Sequence, residues 1–518
     1  MKCVIKGRYL EFVEYTPEEI AWVDKRLTWK LHPEKVKTID ENGNEKEETV
    51  TPIEKLLFKS GDKYWTYHGL YSILKDLWSE NIELIEKEPE INYNRVFIDN
   101  NILPGIELFD FQTAAASKAI MLKSGLELIP TSGGKTEIIL AVLRYLIDNN
   151  MIKRGVIVVP SVGLCEQLTE RAYLRGFTKE EIGKVSGVHK EYDSRIIVAV
   201  SNSLDSGIKR NNTRVLQLLK EIDFLGFDEV HHLRASGWVN IVHYSVNAEY
   251  ILGWSGSPLH SNDVLANSGD ALIWGIMGRI IFTETYDHLR EIGLISEAVV
   301  LMRNVPGKLA KYAASYNKVY AKYICENLTR NTMIVDYAKM FCDMNFSVLI
   351  LVQKIEHATE LMKSLLDYNP ICVFGGSKGL RADLKGEIEQ YKLDYNQFRE
   401  QFKNGIYKIV IASQVMDEGM DIPGIGCIIM AGGGKSRIKL TQRLGRGLRR
   451  KHIGPNRVYV VDFNDLTHIF LNSHSRKRKD FYQESGAVIT TDHYQFINAA
   501  YAHFLLIKEH LENESRLS

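Results

Sequence analysis

The chain has 518 residues, of which 45% are hydrophobic, with 38 Gly and only 12 Pro. That is more than one hydrophobic core spans, without the bias of a disordered or collagen-like chain, so three or four globular domains are expected. The 65 Lys+Arg balance the 65 Asp+Glu, which leaves any polyanion site to local clustering.

The six cysteines, at 3, 165, 325, 342, 372 and 427, are too dispersed for a disulfide framework, and none forms a Cys-x-x-Cys pair. A reducing, cytoplasmic setting fits them. The first residues, Met1 to Gly7, lack the apolar run of a signal peptide, and no stretch reaches the ~18 apolar residues of a membrane span. The expectation is a soluble, unexported protein.

In chain order, residues 1–104 read as a small α+β unit. A helix is expected from Thr16-Pro17-Glu18-Glu19, an N-cap followed by Pro in the first turn. The acidic run Asp40 to Glu48, with Asn42-Gly43 inside it, reads as a solvated hairpin tip. Trp65, Tyr67, Tyr71 and Trp78 have strand and helix spacing that favours a small core over base stacking.

From Leu108 the texture changes. Short β-branched runs at 155–160, 196–200 and 224–227 alternate with helical stretches, then resume at 347–352, 371–374, 409–412 and 458–462 after a helical zone near 308–345. This is the pattern of parallel sheets covered by helices on both faces. Two successive α/β domains are expected, 105–290 and 291–465, followed by a helical tail, 466–518. Arg476-Lys477-Arg478-Lys479 in that tail reads equally well as a DNA contact or a solvated loop.

Two motifs carry chemistry. Pro130-Thr131-Ser132-Gly133-Gly134-Lys135-Thr136 follows an apolar stretch and precedes a helical one, the strand-loop-helix setting of a phosphate loop. Glycines let backbone N–H groups curl around phosphates, and the helix N-terminus adds a favourable dipole. Lys135 would meet the β- and γ-phosphates and the Thr136 hydroxyl would ligate Mg²⁺. Ile129 stands where the usual pattern has its first Gly.

The second motif is Asp228-Glu229-Val230-His231-His232, placed at the end of the apolar run Phe224 to Phe227. Adjacent carboxylates at a strand end are costly unless a cation is bound. Asp228 can hold Mg²⁺ through water, and Glu229 can polarise the water that attacks a γ-phosphate.

With these residues in order the chain resembles a superfamily 2 helicase carrying a DEVH form of the DExH box, over roughly residues 108–465. The resemblance implies two tandem RecA-like domains, ATP and Mg²⁺ as cofactors and a nucleic-acid track. It assigns adenine recognition to Gln112, with Phe109 where relatives often have Arg. Thr131 to Thr136 would bind the nucleotide. Ser161 and Ser203 fall in segments that contact a nucleic-acid backbone, and Ser255 and Ser257 in the motif that couples the nucleotide site to the strand, with His231 as the link.

In the second domain Ser413 would touch the strand's phosphate, and Gly419 and Asp421 would approach the nucleotide. Gln442-Arg443-Leu444-Gly445-Arg446-Gly447-Leu448-Arg449-Arg450 matches the last motif, in which Gln442 belongs to the catalytic set and Arg446 and Arg449 act as arginine fingers. Nine Lys/Arg and no Asp/Glu lie between Ala431 and Arg457, the local charge that the neutral total conceals.

Within the superfamily the layout is similar to the XPB, RecG and phage UvsW side. That implies branched or forked DNA as the partner, fork reversal or junction migration as the activity, and the host cell's cytoplasm if the gene is phage-encoded. Two other readings stay open: a motor subunit of a type I or III restriction system, and a nucleic-acid-stimulated translocase without strand separation.

Overall fold

The computed structural model describes all residues except 32–33, 40–44, 79–80, 86–95, 257–258, 260, 262, 312–314, 375–377, 383–387, 393–394, 414–423, 435–454 and 518. The chain divides into two compact units. One comprises Met1–Leu128 and Lys135–Thr283, the other Ile129–Gly134 and Glu284–Ser518.

The first unit holds a seven-stranded parallel sheet. Its spatial order is 182–185, 196–200, 155–159, 224–228, 250–255, 124–128, 280–283. The runs Gly155–Val159 and Ile196–Val200 are buried throughout, as strands must be when helices cover both faces. The parallel α/β architecture expected from the sequence is therefore present. Strand Tyr250–Ser255 lies between the strand that ends in Asp228 and the strand that precedes the phosphate loop.

Residues near the N-terminus form a second, five-stranded sheet in the order 58–60, 63–67, 9–14, 2–6, 83–84. Helix Pro17–Arg26 starts as expected, with Thr16 Oγ1 accepting from Glu19 N and Glu19 returning a carboxylate to Thr16 N. Strands Glu34–Ile39 and Glu45–Val50 pair antiparallel around the acidic run, whose tip, 40–44, lies outside the described residues. Trp65, Tyr67 and Tyr71 are built into the sheet and the following helix, Tyr67 and Tyr71 being buried and Trp65 stacked on Phe58 at 4.2 Å.

This N-terminal sheet is no free appendage. Its Cys3, Leu10, Leu70 and Leu74 belong to one continuous core with Leu126, Leu225 and Ile276 of the parallel sheet and its helices. Arg8 donates to the carbonyls of Val242 and Ser245 at the end of helix Ser236–Tyr244. Tyr67 Oη and His243 Nε2 are 2.9 Å apart, and Trp29 Nε1 donates to Leu265 O at 2.9 Å. Gly69 N donates to Gly275 O, and a Cβ at Gly69 would stand 2.3 Å from Trp274 O, so no side chain fits that approach.

The second unit is built on a nine-stranded sheet, ordered 388–392, 378–382, 371–374, 409–412, 347–351, 425–429, 457–465, 297–305, 488–490. Its interior is parallel, and an antiparallel hairpin, 378–382 with 388–392, extends one edge. The other edge is Val488–Thr490, which pairs with 299–301. Phe496 and Ala500 of helix His493–Leu517 pack in the core beneath. The segment expected as a helical tail thus supplies both an edge strand and core residues to the second sheet.

Arg476-Lys477-Arg478-Lys479 corrects another expectation. It lies within helix Ile469–Glu484 and not in a loop, with Arg478 only 1% exposed. The guanidinium of Arg478 grips Asp462 through Nε and Nη2 at 2.9 Å each and donates to Gly434 O at 2.8 Å. A second fully buried arginine, Arg330, bonds Asp465 at 2.9 Å and Ala431 O at 2.5 Å. Buried arginines stay charged only when so fully paired. Among the described residues, no helix is long and apolar enough to cross a membrane.

Candidate active site

The carboxyl ends of parallel strands are where α/β sheets place ligands, and the first sheet puts its reactive groups there. Asp228 ends a central strand and is 6% exposed. Its Oδ1 accepts from the N–H of Glu229 at 3.0 Å. Glu229 adopts φ +54, a left-handed conformation uncommon outside glycine, which turns the chain sharply at the carboxylate.

Around Glu229 three groups converge. Lys135 Nζ stands 3.6 Å from Oε1, while Ser255 Oγ and His231 Nδ1 stand 3.4 Å from Oε2. Ser255 Oγ and His231 Nδ1 are themselves 3.1 Å apart. The pair of acids is thereby split. Burial, reinforced by the Glu229 charge, raises the Asp228 pKa above the usual carboxylate range. Burial also opposes the charge on Glu229, but Lys135 and His231 outweigh it and hold that carboxyl well below its usual range. His232 stacks between His231, 4.4 Å away, and Trp238, and burial lowers its pKa to about 4. It fills space behind the site.

The phosphate loop has the backbone its chemistry requires. Ser132 and Gly134 take φ +70 and +81, and Gly133 N donates to Pro130 O. A Cβ at Gly133 would meet Ile129 Cγ2 at 2.9 Å, so the loop closes only around glycine. Thr131 and Ser132 are half-buried, and Lys135 and Thr136 open helix Lys135–Asp148.

Other expected residues lie as follows. Gln112 is buried in the first turn of helix Asp110–Leu122, and its Oε1 accepts from Phe109 N at 3.0 Å. Ser161 caps helix Val162–Leu174 by accepting from Leu164 N, and Ser203 is half-buried in helix Ser201–Lys209. In the second unit Ser413 follows strand Ile409–Ala412, and its N–H donates to Val373 O. Ser257, Gly419, Asp421, Gln442, Arg446 and Arg449 lie outside the described residues. Sequence reading passed over Glu127, a fully buried acid in the strand before the phosphate loop. A charged residue inside an otherwise apolar strand was the available signal.

A hydroxyl and a carboxylate are the hard oxygen ligands that Mg²⁺ takes; burial and the Glu229 charge disfavour ionised Asp228, and a cation beside it would offset both.

A phosphate loop and an acid pair on one parallel sheet, followed by a second parallel sheet, define a two-domain nucleoside triphosphatase motor. Residues 106–260 match the family model described as type III restriction enzyme, res subunit, and residues 338–451 match the helicase conserved C-terminal domain. The chain belongs to the superfamily 2 helicases, enzymes that couple ATP hydrolysis to movement on nucleic acid.

Among its relatives is putative helicase 22 of a Sulfolobus islandicus filamentous virus. It is 26% identical, over 95% of this chain and 84% of the relative. DNA 3'-5' translocase XPB2 of Sulfurisphaera tokodaii is 24% identical over 71% of this chain and 84% of its own length. Among solved structures, T4 UvsW aligns with 94% of this chain and 98% of its own, at 15% identity and TM-score 0.42.

Proposed function

We propose that this motor moves along DNA and remodels branched or forked substrates, with residues 1–104 reading substrate shape. The observation that carries the proposal is the docking of the N-terminal sheet. Arg8 and Tyr67 hold the helix that follows the DEVH box, while Trp29 and Gly69 hold the segment after Ser255. These contacts fall on helix Ser236–Tyr244 with its cap and on residues 265–275, the segments that follow His231 and Ser255 in the chain. DNA as the track agrees with the DNA 3'-5' translocase among the relatives.

Charge constrains how the parts share the work. Residues 1–104 contain 15 Lys and Arg against 20 Asp and Glu, a net acidic balance that favours the motor for the sequence-independent grip on phosphate. Phosphate contacts fall to Ser161, Ser203, Ser413 and the nine cations between Ala431 and Arg457, a grip that weakens with salt and ignores base sequence.

In this reading ATP sits on Thr131 to Thr136 with Gln112 at the adenine and Gly419 and Asp421 near the nucleotide. Thr136 and Asp228 hold Mg²⁺, which neutralises phosphate charge when bound. Glu229 takes the proton of the attacking water, and Arg446 and Arg449, with Gln442 beside them, stabilise the transferring phosphoryl group.

Strand displacement by the full chain on forked DNA, four-way junctions and plain duplex, at one ionic strength, tests the proposal. Preference for the branched forms is expected. Equal rates on all three would remove the branched-DNA role, and ATP turnover without any displacement would leave a nucleic-acid-stimulated translocase that does not separate strands.

A further inference from the structure

Strand Ser124–Leu128 carries a carboxyl group into the interior of the first sheet. Glu127 is fully buried, and its in-register neighbours are Trp254 on one side and Phe282 on the other. Its Oε2 accepts a hydrogen bond from Trp254 Nε1 at 2.7 Å, while its Oε1 has no hydrogen-bond partner among the described residues. The charged group that acts on it is Lys118 of helix Asp110–Leu122, whose ammonium lies over the Phe282 ring, 5.3 Å from its centroid.

An ionised carboxylate with one bare oxygen is far more costly in such a place than a neutral acid. Burial accordingly pushes the Glu127 pKa up to about 8, against the weaker pull of the Trp254 bond and of Lys118. An apolar side chain of similar size would pack there at less cost. What it could not do is hold the indole N–H.

The two strands joined by this bond are those that deliver the site. Strand 124–128 runs into the phosphate loop and Lys135. Trp254 directly precedes Ser255, whose hydroxyl lies 3.1 Å from His231 and 3.4 Å from Glu229. The main-chain ladder sets which residues face each other, and the side-chain bond adds a fixed depth between the strands on the face covered by helix 110–122.

We propose that Glu127 is a positioning residue for ATP hydrolysis. As a neutral acid accepting from Trp254, it holds the strand that delivers Lys135 against the strand that delivers Ser255. It touches neither nucleotide nor water, and acts through the separation of Lys135 from Glu229.

The test compares Glu127→Gln and Glu127→Leu in the full chain. The amide keeps a neutral acceptor for the indole, and the leucine keeps the burial and removes the acceptor. DNA-stimulated kcat and KM for ATP are measured beside thermal unfolding and the Trp254 indole N–H resonance, assigned with Trp254→Phe. The expected result is a Glu127→Leu kcat lower by about tenfold with KM changed less than about twofold, since the loss is confined to the transition state. Its melting temperature should fall by no more than a few degrees, the cost of an indole N–H left without its acceptor, and its Trp254 indole resonance should shift upfield. Glu127→Gln should restore both rate and resonance. A leucine variant with wild-type kcat overturns the proposal, as does a glutamine variant that unfolds or fails to recover the rate.

Discussion

Lys135 and Glu229 face each other at 3.6 Å across the rim of the first sheet. The ammonium that would meet a nucleotide's phosphates therefore also stabilises the carboxylate that would activate water. In the proposed mechanism a bound nucleotide's phosphates would compete with Glu229 for Lys135, leaving the carboxylate free to serve as a base. Glu229→Gln should lower kcat by about 100-fold or more while nucleotide still binds, because the phosphate cradle is untouched. Lys135→Ala should weaken binding as well as turnover. Fluorescent-nucleotide titration beside steady-state ATPase separates the two, and near-normal turnover in either variant would refute the assignment.

Arg446 stands in the segment that resembles the last helicase motif, and the proposed finger role has it reach a nucleotide only when ATP and DNA are both engaged. Arg446→Ala should abolish DNA-stimulated turnover with nucleotide affinity changed by no more than about threefold. A large loss of affinity at preserved kcat would contradict the finger role.

Arg8 clamps the N-terminal sheet to the end of helix Ser236–Tyr244. Arg8→Met keeps the stem and strips two carbonyls of their donor, at a cost of about 1–3 kcal/mol. Differential scanning calorimetry should show a lower melting temperature, and fork preference should fall more than ATP turnover on single-stranded DNA. If both activities decline in step, the clamp is structural only.

Stability should weaken in acid through His357. Its side chain is fully buried, with Nε2 at 2.9 Å from Asn331 Oδ1, and burial, with Arg330 adding, lowers its pKa to about 3. The unfolded chain takes a proton near pH 6.5 that the fold refuses, so the stabilisation is complete above that value and is lost as pH falls toward 3. At pH 5 the penalty is about 2 kcal/mol. Urea melts of His357→Gln from pH 7 to 5 should show a flatter decline than the parent, and parallel curves would exclude this histidine as a source.

The catalytic motifs were legible because their chemistry is local. Lys135 opens the helix after a glycine loop and the acids at 228–229 sit where an apolar strand ends, and both settings are readable from a few neighbouring residues. The fusion of the N-terminal sheet with the first parallel sheet was not legible. Gly69 meets Gly275 and Arg8 meets Val242, more than 200 residues apart in sequence, with no periodicity to announce either pair. Residues 1–104 therefore looked separable, yet removing them would strip Leu126 and Ile276 of core neighbours. Val488–Thr490 failed for a different reason, since three residues are too few to tell a strand from the start of a helix.

To a protease that cuts after basic residues, Arg476 to Lys479 offers three exposed sites and conceals one, since Arg478 is turned inward against Asp462. The exposed bonds sit on a helix that must unwind to be cleaved. A nick ahead of Arg478 would carry away the counter-charge of the buried Asp462. Limited digestion should then yield no durable trimmed fragment ending near 476, and the shortest stable piece of the second unit has to extend past this helix and the edge strand beyond it.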